Sequence, residues 1–171
     1  MPRVLLSGTR AKSYEVDGTV GRNAQNDRAD ALLVQFMLYA AWRLHAVWPK
    51  EAPTWVRSQA PVARTPLMSR VAGPAEPAPF QHPKPDGDIV IDGIVGPQTI
   101  SFIDYFQEAM ARAYIFCDTN GQVAPLRTRI EKSTFTLVTL NEILSRGLGD
   151  RAWTLYSVPG FPMELKPYLF I

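Results

Sequence analysis

Cysteine and histidine are scarce in this 171-residue chain, which contains one cysteine, Cys117, and two histidines, His45 and His82. A single cysteine cannot form an internal disulfide, and so few ligands cannot build a zinc centre from His and Cys alone. No stretch approaches the roughly 20 consecutive apolar residues of a membrane-spanning helix, and the opening residues are too short for a signal-peptide core. We therefore expect no membrane span, and synthesis and retention in the cytoplasm.

Charge of one sign is also lacking, because 18 Lys and Arg face 16 Asp and Glu. A net charge of +2 is too small to indicate a nucleic-acid partner. With 46% hydrophobic and 20% charged residues, the composition excludes wholesale disorder. The length is that of one ordinary domain, and we treat residues 1–171 as a single domain.

Proline is abundant, and most of it falls in one segment. Nine of the 15 prolines lie between Pro49 and Pro85. Each proline lacks an amide donor and biases the residue before it towards extended conformations, so neither a helix nor a sheet interior can form there. We predict that residues 49–87 are irregular, within a basic, proline-rich insertion over residues 43–87 that has enough apolar side chains to dock on a core.

Three helices are predicted outside the irregular residues 49–87. The first covers residues 30–48, nearly all apolar, with Asp30 as N-cap and Pro49 as stop. The second runs from Gln98 to about Phe116, because apolar residues recur there at three- and four-residue spacing. The third runs from Ser133 or Thr134 to Arg146 with Gly147 as its stop, although its β-branched residues would also fit a strand.

Short extended segments complete the prediction. Residues 88–96 form a β-like run closed by a turn, and Arg3–Leu6 and Trp153–Val158 are apolar enough for short terminal strands. The tail from Phe161 to Ile171 is too apolar to remain free in solvent, so we expect it to dock. Residues 143–171 are therefore a C-terminal extension of the core.

Three segments of the chain repeat one turn pattern, and they are Val16–Gly21, Ile91–Gly96 and, more weakly, Thr119–Ala124. In each, Asp or Asn can cap its own backbone, the next residue is a glycine that can take positive φ, and an aliphatic residue then returns to the core. The repeat predicts three equivalent tight turns.

With the residues around them, these turns resemble the peptidoglycan-binding-like domain, a small three-helix module of bacterial cell-wall hydrolases. The most specific match is Asp92-Gly93-Ile94-Val95-Gly96-Pro97-Gln98-Thr99 with Phe106-Gln107. Val20–Asn23 with Asp30–Leu38, and Asn120–Val123 with Leu137–Leu144, match more loosely. The resemblance covers residues 14–42 and 88–142, about half of the chain. It implies a mainly α, three-helix fold with short β-like turns.

Enzyme chemistry has little support in the sequence. Asp86, Asp88 and Asp92 could place carboxylates together, as glycoside hydrolysis requires, but Asp92 already has a turn-capping role. Cys117 lies at a predicted helix end, where it is more often half-buried than reactive, and neither histidine has a partner residue. We therefore expect no catalytic residue, no metal site and no cofactor.

Binding of a wall polymer is the better prediction. Tyr39 and Trp42 offer rings that can cover sugar faces, although most large aromatic residues are buried for packing. The remaining predicted contacts are at the turns and helix starts, where free amides can receive carboxylates, and they are Asn23, Asp92, Gly93 and Thr99. Gln35 and Gln107 recur at matching places, and we expect them to hold the turns by hydrogen bonds rather than touch a ligand.

Two functions follow from the resemblance and from the half of the chain outside it. The first is a non-catalytic module that binds peptidoglycan. The second is a structural or adaptor protein of a phage tail or contractile injection particle, motivated by the apolar first helix, the apolar tail and the long insertion. The Asn23, Asn26 and Asp30 pattern also resembles free-standing versions of the module near such machines. In that hypothesis the insertion and the tail contact other protein subunits, and the protein is associated with a virion or injection particle.

Overall fold

The computed structural model describes residues 2–7, 11–44, 80–112, 117–126, 134–148 and 155–169. Its helices are α1 (Arg28–Leu44), α2 (Pro97–Arg112), α3 (Thr134–Leu148) and the single-turn α4 (Lys166–Leu169), which follows a 3₁₀ turn over Met163–Leu165. The prediction of a mainly α fold is confirmed. None of the helices within the described residues is long and apolar enough to cross a membrane.

The strands form two small antiparallel sheets. Strand β1 (Arg3–Ser7) pairs with β2 (Ala11–Glu15) in a hairpin whose register runs from Arg3 opposite Glu15 to Ser7 opposite Ala11. Strand β3 (Val20–Gly21) pairs with β4 (Gln122–Val123), so the sheet joins two of the three repeated turns across about a hundred residues of sequence. The predicted strand at Arg3–Leu6 is confirmed.

Helix α1 is the centre of the core. Its residues from Ala31 to Leu38 are all buried, as are Ala40 and Ala41. Helix α3 packs on α1 and buries its own apolar stripe, which consists of Leu137, Leu140, Ile143, Leu144 and Leu148. A helix that is apolar nearly all round must be covered on several sides, and this chain covers it with its own elements.

The predicted start of α1 is wrong. The helix begins at Arg28, and Asp30 lies inside its first turn rather than at the N-cap. The Asp30 carboxylate is fully buried and accepts hydrogen bonds from the backbone N–H groups of Asp17 (3.1 Å) and Gly18 (2.8 Å). Tertiary contact with the first repeated turn has therefore taken the side chain away from capping. The predicted end, at residues 45–48, lies outside the described residues.

Helices α2 and α3 follow their sequence signals at the start. Pro97 opens α2, where its missing N–H costs nothing because the first helical amides have no intrahelical partner. Helix α3 starts at Thr134 as predicted, but it continues through Gly147 to Leu148, so the predicted stop at Gly147 is wrong. Burial of Leu148 against the core outweighs the weak helix propensity of the glycine.

Two predicted extended segments do not form strands. Residues 88–91 pair with no other strand of the described chain, and the turn follows them directly. At the predicted strand Trp153–Val158, residues 155–157 form a 3₁₀ turn instead, and Val158 N–H donates to the Leu155 carbonyl at 3.0 Å. Residues 153 and 154 lie outside the described residues.

The apolar tail docks on α1, as predicted. Phe161 packs edge-on against Phe36 with ring centroids 5.3 Å apart, and Leu165 is fully buried. Arg28 forms an ion pair with Glu164 at 3.1 Å, which fastens the 3₁₀ turn to the first turn of α1. Residues 170 and 171 lie outside the described residues.

Most of the predicted insertion, residues 45–79, lies outside the described part of the chain. Its last part, residues 80–87, has neither helix nor strand, in agreement with the prediction. We call residues 80–88 the return segment, because they lead the chain back from the insertion to the core.

Candidate functional site

The second repeated turn is held by Gln35 of α1. The Gln35 Oε1 atom accepts hydrogen bonds from the N–H groups of Gly93 (2.8 Å) and Asp92 (3.2 Å). Its Nε2 atom donates to Asp92 Oδ1 (3.1 Å), the Ile94 carbonyl (3.0 Å) and Thr99 Oγ1 (3.0 Å). Both ends of one buried amide are thereby satisfied by a single turn and the helix that follows it.

The third repeated turn is held in the same way by Gln107 of α2. Its Oε1 atom accepts from Gly121 N–H at 2.8 Å, and its Nε2 atom donates to the Gln122 carbonyl (2.7 Å) and to Thr136 Oγ1 (2.9 Å). Gly93 and Gly121 have nearly equal φ angles of 74° and 73°. The predicted structural role of both glutamines is confirmed by these contacts.

The first repeated turn is built differently. Gly18 is not in the positive-φ region, and Asp30 rather than a glutamine binds the turn. The left-handed conformation appears at Asn23 (φ 54°) and Asn26 (φ 58°) instead, and Asn26 Oδ1 accepts from Gly21 N–H at 2.7 Å. The repeat is therefore structural in two copies and only approximate in the first.

Gln35 brings together three of the predicted binding residues, Asp92, Gly93 and Thr99. Asp92 is half-buried and caps its own turn, since its Oδ1 accepts from Ile94 N–H at 2.8 Å. That hydrogen bond holds the pKa of Asp92 below its ordinary value, against the effect of desolvation. Thr99 is only 3% exposed, so its side chain is not accessible to a ligand. These residues support the turn more directly than they offer a surface.

The other three predicted residues lie apart from that turn. Asn23 is exposed in the loop before α1. Tyr39 is half-buried and lies against the C-terminal turn at Gly160 and under the guanidinium of Arg43, 5.7 Å from its ring centroid. Trp42 is half-buried and faces α2. The structure does not unite the six predicted residues in one site.

A different surface emerges at Trp42. Its ring centroid lies 5.9 Å from that of Tyr105, which in turn lies 5.3 Å from that of Phe80. The three rings, which we call the aromatic row, come from α1, α2 and the return segment. Phe80 is 36% exposed and Trp42 is half-buried, whereas Tyr105 between them is 6% exposed. Two members of the row, Trp42 and Tyr105, line a small apolar pocket together with Leu38, Ala41, Phe102 and Phe106.

Cations lie at both ends of the aromatic row. The Lys84 ammonium is 5.1 Å from the Trp42 ring centroid, and the Arg112 guanidinium is 3.9 Å from the Phe80 ring centroid. Both distances are within the range of attractive cation–π contacts. Rings that offer apolar faces, flanked by donors of positive charge, can bind a ligand that has both apolar ring surfaces and anionic groups.

Glu108 fastens the return segment beside this row. One carboxylate oxygen accepts from Gln81 N–H (2.9 Å) and from Arg112 (2.6 Å), and the other accepts from His82 N–H (2.7 Å). Desolvation opposes the charged form, but these hydrogen bonds and the neighbouring guanidinium hold the pKa of Glu108 below its ordinary value. The position of Phe80 on Tyr105 therefore depends on an ionised carboxylate.

The docking of the return segment is expected to weaken in acid. Because the pKa of Glu108 is lower in the folded state, its contribution is complete above the ordinary glutamate pKa of about 4.3 and disappears as pH falls through the folded value. We expect the Gln81 and His82 amide resonances to titrate together below about pH 4.3. Glu108→Gln should abolish that shared titration. Independent titrations of the two amides, or titration persisting in the variant, would show that Glu108 is not the group responsible.

The described residues include few groups suited to chemistry. Burial raises the pKa of the Cys117 thiol to about 12 despite a 3.4 Å contact with the Thr136 hydroxyl. Burial also raises the pKa of Tyr14 to about 12, although Leu155 N–H donates to its oxygen. Within residues 2–7, 11–44, 80–112, 117–126, 134–148 and 155–169, no group of three or more His, Cys, Asp or Glu side chains could hold a metal ion.

Sequence reasoning identified Trp42 and missed the rest of the aromatic row and its supports, namely Phe80, Lys84, Tyr105, Glu108 and Arg112. A partial signal was present, since Tyr105, Glu108 and Arg112 recur at the spacing of one helix face. Phe80 and Lys84 were visible only as apolar and basic residues of the insertion, with nothing to place them on α1 and α2.

No family model matches this sequence, and neither a curated protein nor a solved structure shows significant similarity to it. The resemblance to the peptidoglycan-binding-like domain therefore rests on the residues quoted from the sequence.

Proposed function

We propose that the protein is a non-catalytic module that binds peptidoglycan, and that the aromatic row is its contact surface. The observation that carries the proposal is the sequence of Trp42, Tyr105 and Phe80 rings ending in Lys84 and Arg112. Peptidoglycan combines sugar rings, which have apolar C–H faces, with peptides that end in carboxylates. Rings with a cation at each end of the row match both parts of such a ligand.

The architecture adds support from a second direction. We assign residues 14–42 and 88–142 to a three-helix peptidoglycan-binding-like core. In support, two helices each direct a glutamine to an Asx-Gly turn. The equivalent threonines, Thr99 and Thr136, accept from those glutamines. This internal correspondence is what an ancient repeat of one turn-and-helix unit would leave, and it supports the family resemblance.

Two of the sequence features that suggested an adaptor no longer support that hypothesis. The apolar helix and the apolar tail both pointed to a partner subunit, but α1 is covered by the chain itself and Phe161 and Leu165 are buried on it. What still favours a protein partner is a set of exposed apolar side chains, Val90 (54%), Ile94 (64%) and Met163 (64%). Under that alternative, Ile94→Asn should abolish co-purification with particle subunits and leave wall binding unchanged.

The proposal is tested by co-sedimentation with purified bacterial sacculi. We expect the wild-type protein to pellet with sacculi, and Phe80→Ala to weaken binding about tenfold, because truncating an aromatic ring that contacts the ligand costs about 1–2 kcal/mol. Phe80 is partly exposed, so this substitution leaves the buried core intact.

Tyr156→Ala is the matched control for Phe80→Ala. It removes an aromatic ring that is 47% exposed but does not belong to the aromatic row, and it should bind as the wild type does. Retention of wild-type protein no greater than that of a variant with a scrambled surface would reject peptidoglycan binding. Equal losses in both variants would reject the aromatic row as the contact surface.

A further inference from the structure

Lys84 and the arginines of the described residues differ in the groups that they contact. Three arginines are committed to carboxylates: Arg22 pairs with Asp104 at 2.6 Å, Arg43 pairs with Asp88, and Arg112 pairs with Glu108 at 2.6 Å. An arginine in such a pair already makes strong hydrogen bonds to a carboxylate of the protein, so it has less capacity to bind an anionic ligand.

Lys84 stands apart from them. Among the described residues it forms no ion pair, and its ammonium is instead placed over the face of Trp42. The acidic residues nearest in sequence do not neutralise it, because Asp88 is paired with Arg43 and Asp86 makes no ion pair with it. Lys84 is exposed, so the ammonium is accessible from solvent. It is a positioned charge with capacity left for an anion.

The geometry on both sides of Lys84 limits where it can be. Pro85, which follows it, is buried, and the preceding Gln81 and His82 are hydrogen-bonded to Glu108. The backbone is thus anchored before and after the lysine, and the ring of Trp42 directs the side chain. A charge held this way loses less side-chain entropy on binding than a freely rotating surface lysine.

We propose that Lys84 is the specificity-determining residue of the aromatic row, receiving an anionic oxygen of the wall polymer while Trp42 contacts the adjoining apolar ring. The inference rests on the proposed function and makes it more specific: the preferred ligand carries negative charge next to a sugar, and a neutral glycan is a poor one. The anion can come from peptide carboxylates or from the phosphates of teichoic acid attached to the wall. Both offer the same acceptor oxygens.

Three wall preparations distinguish these sources. Intact sacculi carry both anions, hydrofluoric acid removes the teichoic acid, and subsequent carbodiimide coupling with ammonia converts the peptide carboxylates into neutral amides. We expect wild-type affinity to fall about tenfold at the step that removes the recognised anion, since a hydrogen bond to a charged group raises binding affinity by about tenfold or more. A fall at the first step identifies phosphate, and a fall at the second identifies carboxylate.

Substitutions separate the charge of Lys84 from its packing. Lys84→Met keeps an apolar chain over Trp42 and should bind all three preparations with the affinity that the wild type has for the amidated wall. Lys84→Arg keeps the charge and should stay within about threefold of the wild type. Lys166→Met removes one exposed positive charge from α4, away from the aromatic row, and should change nothing.

A small-molecule pair tests Lys84 independently of the wall. Phenyl β-D-glucuronide and phenyl β-D-glucoside differ only at C6, which is a carboxylate in the first and a hydroxymethyl group in the second. Their affinities are measured by NMR titration. We expect the wild type to prefer the glucuronide by about fivefold or more, and Lys84→Met to lose the preference. Preference for the glucuronide without binding of sacculi would reject peptidoglycan as the ligand and keep the role of Lys84. If Lys84→Met binds the wall and prefers the glucuronide as the wild type does, the role of Lys84 is rejected and wall binding stands. If the wild type binds neither sacculi nor the phenyl glycosides, the role of Lys84 and peptidoglycan binding are both rejected.

Discussion

Gly21→Ala is expected to lower the free energy of unfolding by about 4 kcal/mol, which is at the upper end of single-substitution effects. Gly21 has a φ of 129°, and a Cβ atom at this position would lie 2.1 Å from the carbonyl oxygen of Gly121. That atom belongs to the backbone of the residue immediately before β4, whose Gln122 pairs with Gly21, so it cannot rotate away as a side chain could. The substitution must therefore separate β3 from β4 and break the link between the first and third repeated turns.

Urea unfolding followed by circular dichroism measures the effect, and the midpoint of thermal unfolding should fall by on the order of 10 °C. Gly87→Ala is the matched control, because Gly87 also has positive φ (70°) but nothing lies within 4 Å of its added Cβ. It should cost only about 1–2 kcal/mol, the strain of a left-handed alanine. Equal losses in the two variants would show that backbone strain, rather than the collision with Gly121, explains the requirement for glycine.

The positions of the long helices could be predicted because their signals are local. Apolar spacing, Pro97 at the start of α2 and Thr134 at the start of α3 each act within a few residues. Where the role of a residue is set by a contact with a residue distant in sequence, the prediction was wrong. Asp30 has the chemistry of an N-cap, but its carboxylate instead accepts hydrogen bonds from the backbone amides of the first repeated turn. Gly147 has the chemistry of a helix stop, but burial of Leu148 carries the helix past it.

The candidate site divides in the same way. The glutamines could be identified from the sequence because their repetition exposes a shared task, and the hydrogen bonds of Gln35 and Gln107 agree with that reasoning. The aromatic row could not be identified, because Trp42, Phe80 and Tyr105 come from three segments whose relative placement no local pattern encodes. The docking that assembles them depends on Glu108, whose hydrogen bonds to backbone amides leave no trace in the amino-acid pattern.

Gln35→Leu is expected to lower the free energy of unfolding by about 4 kcal/mol, because each buried polar group left without its partner costs about 1–3 kcal/mol. Gly93 is buried and donates to Gln35, and the Ile94 carbonyl accepts from it. Leucine has a similar volume, so the loss would come from hydrogen bonds and not from a cavity. Chemical unfolding monitored by circular dichroism measures the change.

Gln107→Leu is the matched comparison, since the equivalent side chain makes three hydrogen bonds to its turn and helix, whereas Gln35 makes five. It should cost less, about 3 kcal/mol. A larger loss for Gln107→Leu than for Gln35→Leu would contradict the view that stability follows the number of hydrogen bonds that each glutamine makes.

Gln35→Glu separates the accepting from the donating end of the amide. A carboxylate can still accept from Gly93 N–H, but it cannot donate to the Ile94 carbonyl, and it would face the carboxylate of Asp92. Burial and that like charge should raise the pKa of the introduced glutamate in the folded state, so the folded state binds the extra proton. Its stability should therefore increase as pH falls from 7 towards 5, the opposite of the dependence expected at Glu108. A stability that is flat across this range would mean that the turn moves away from α1 and admits water to the carboxylate.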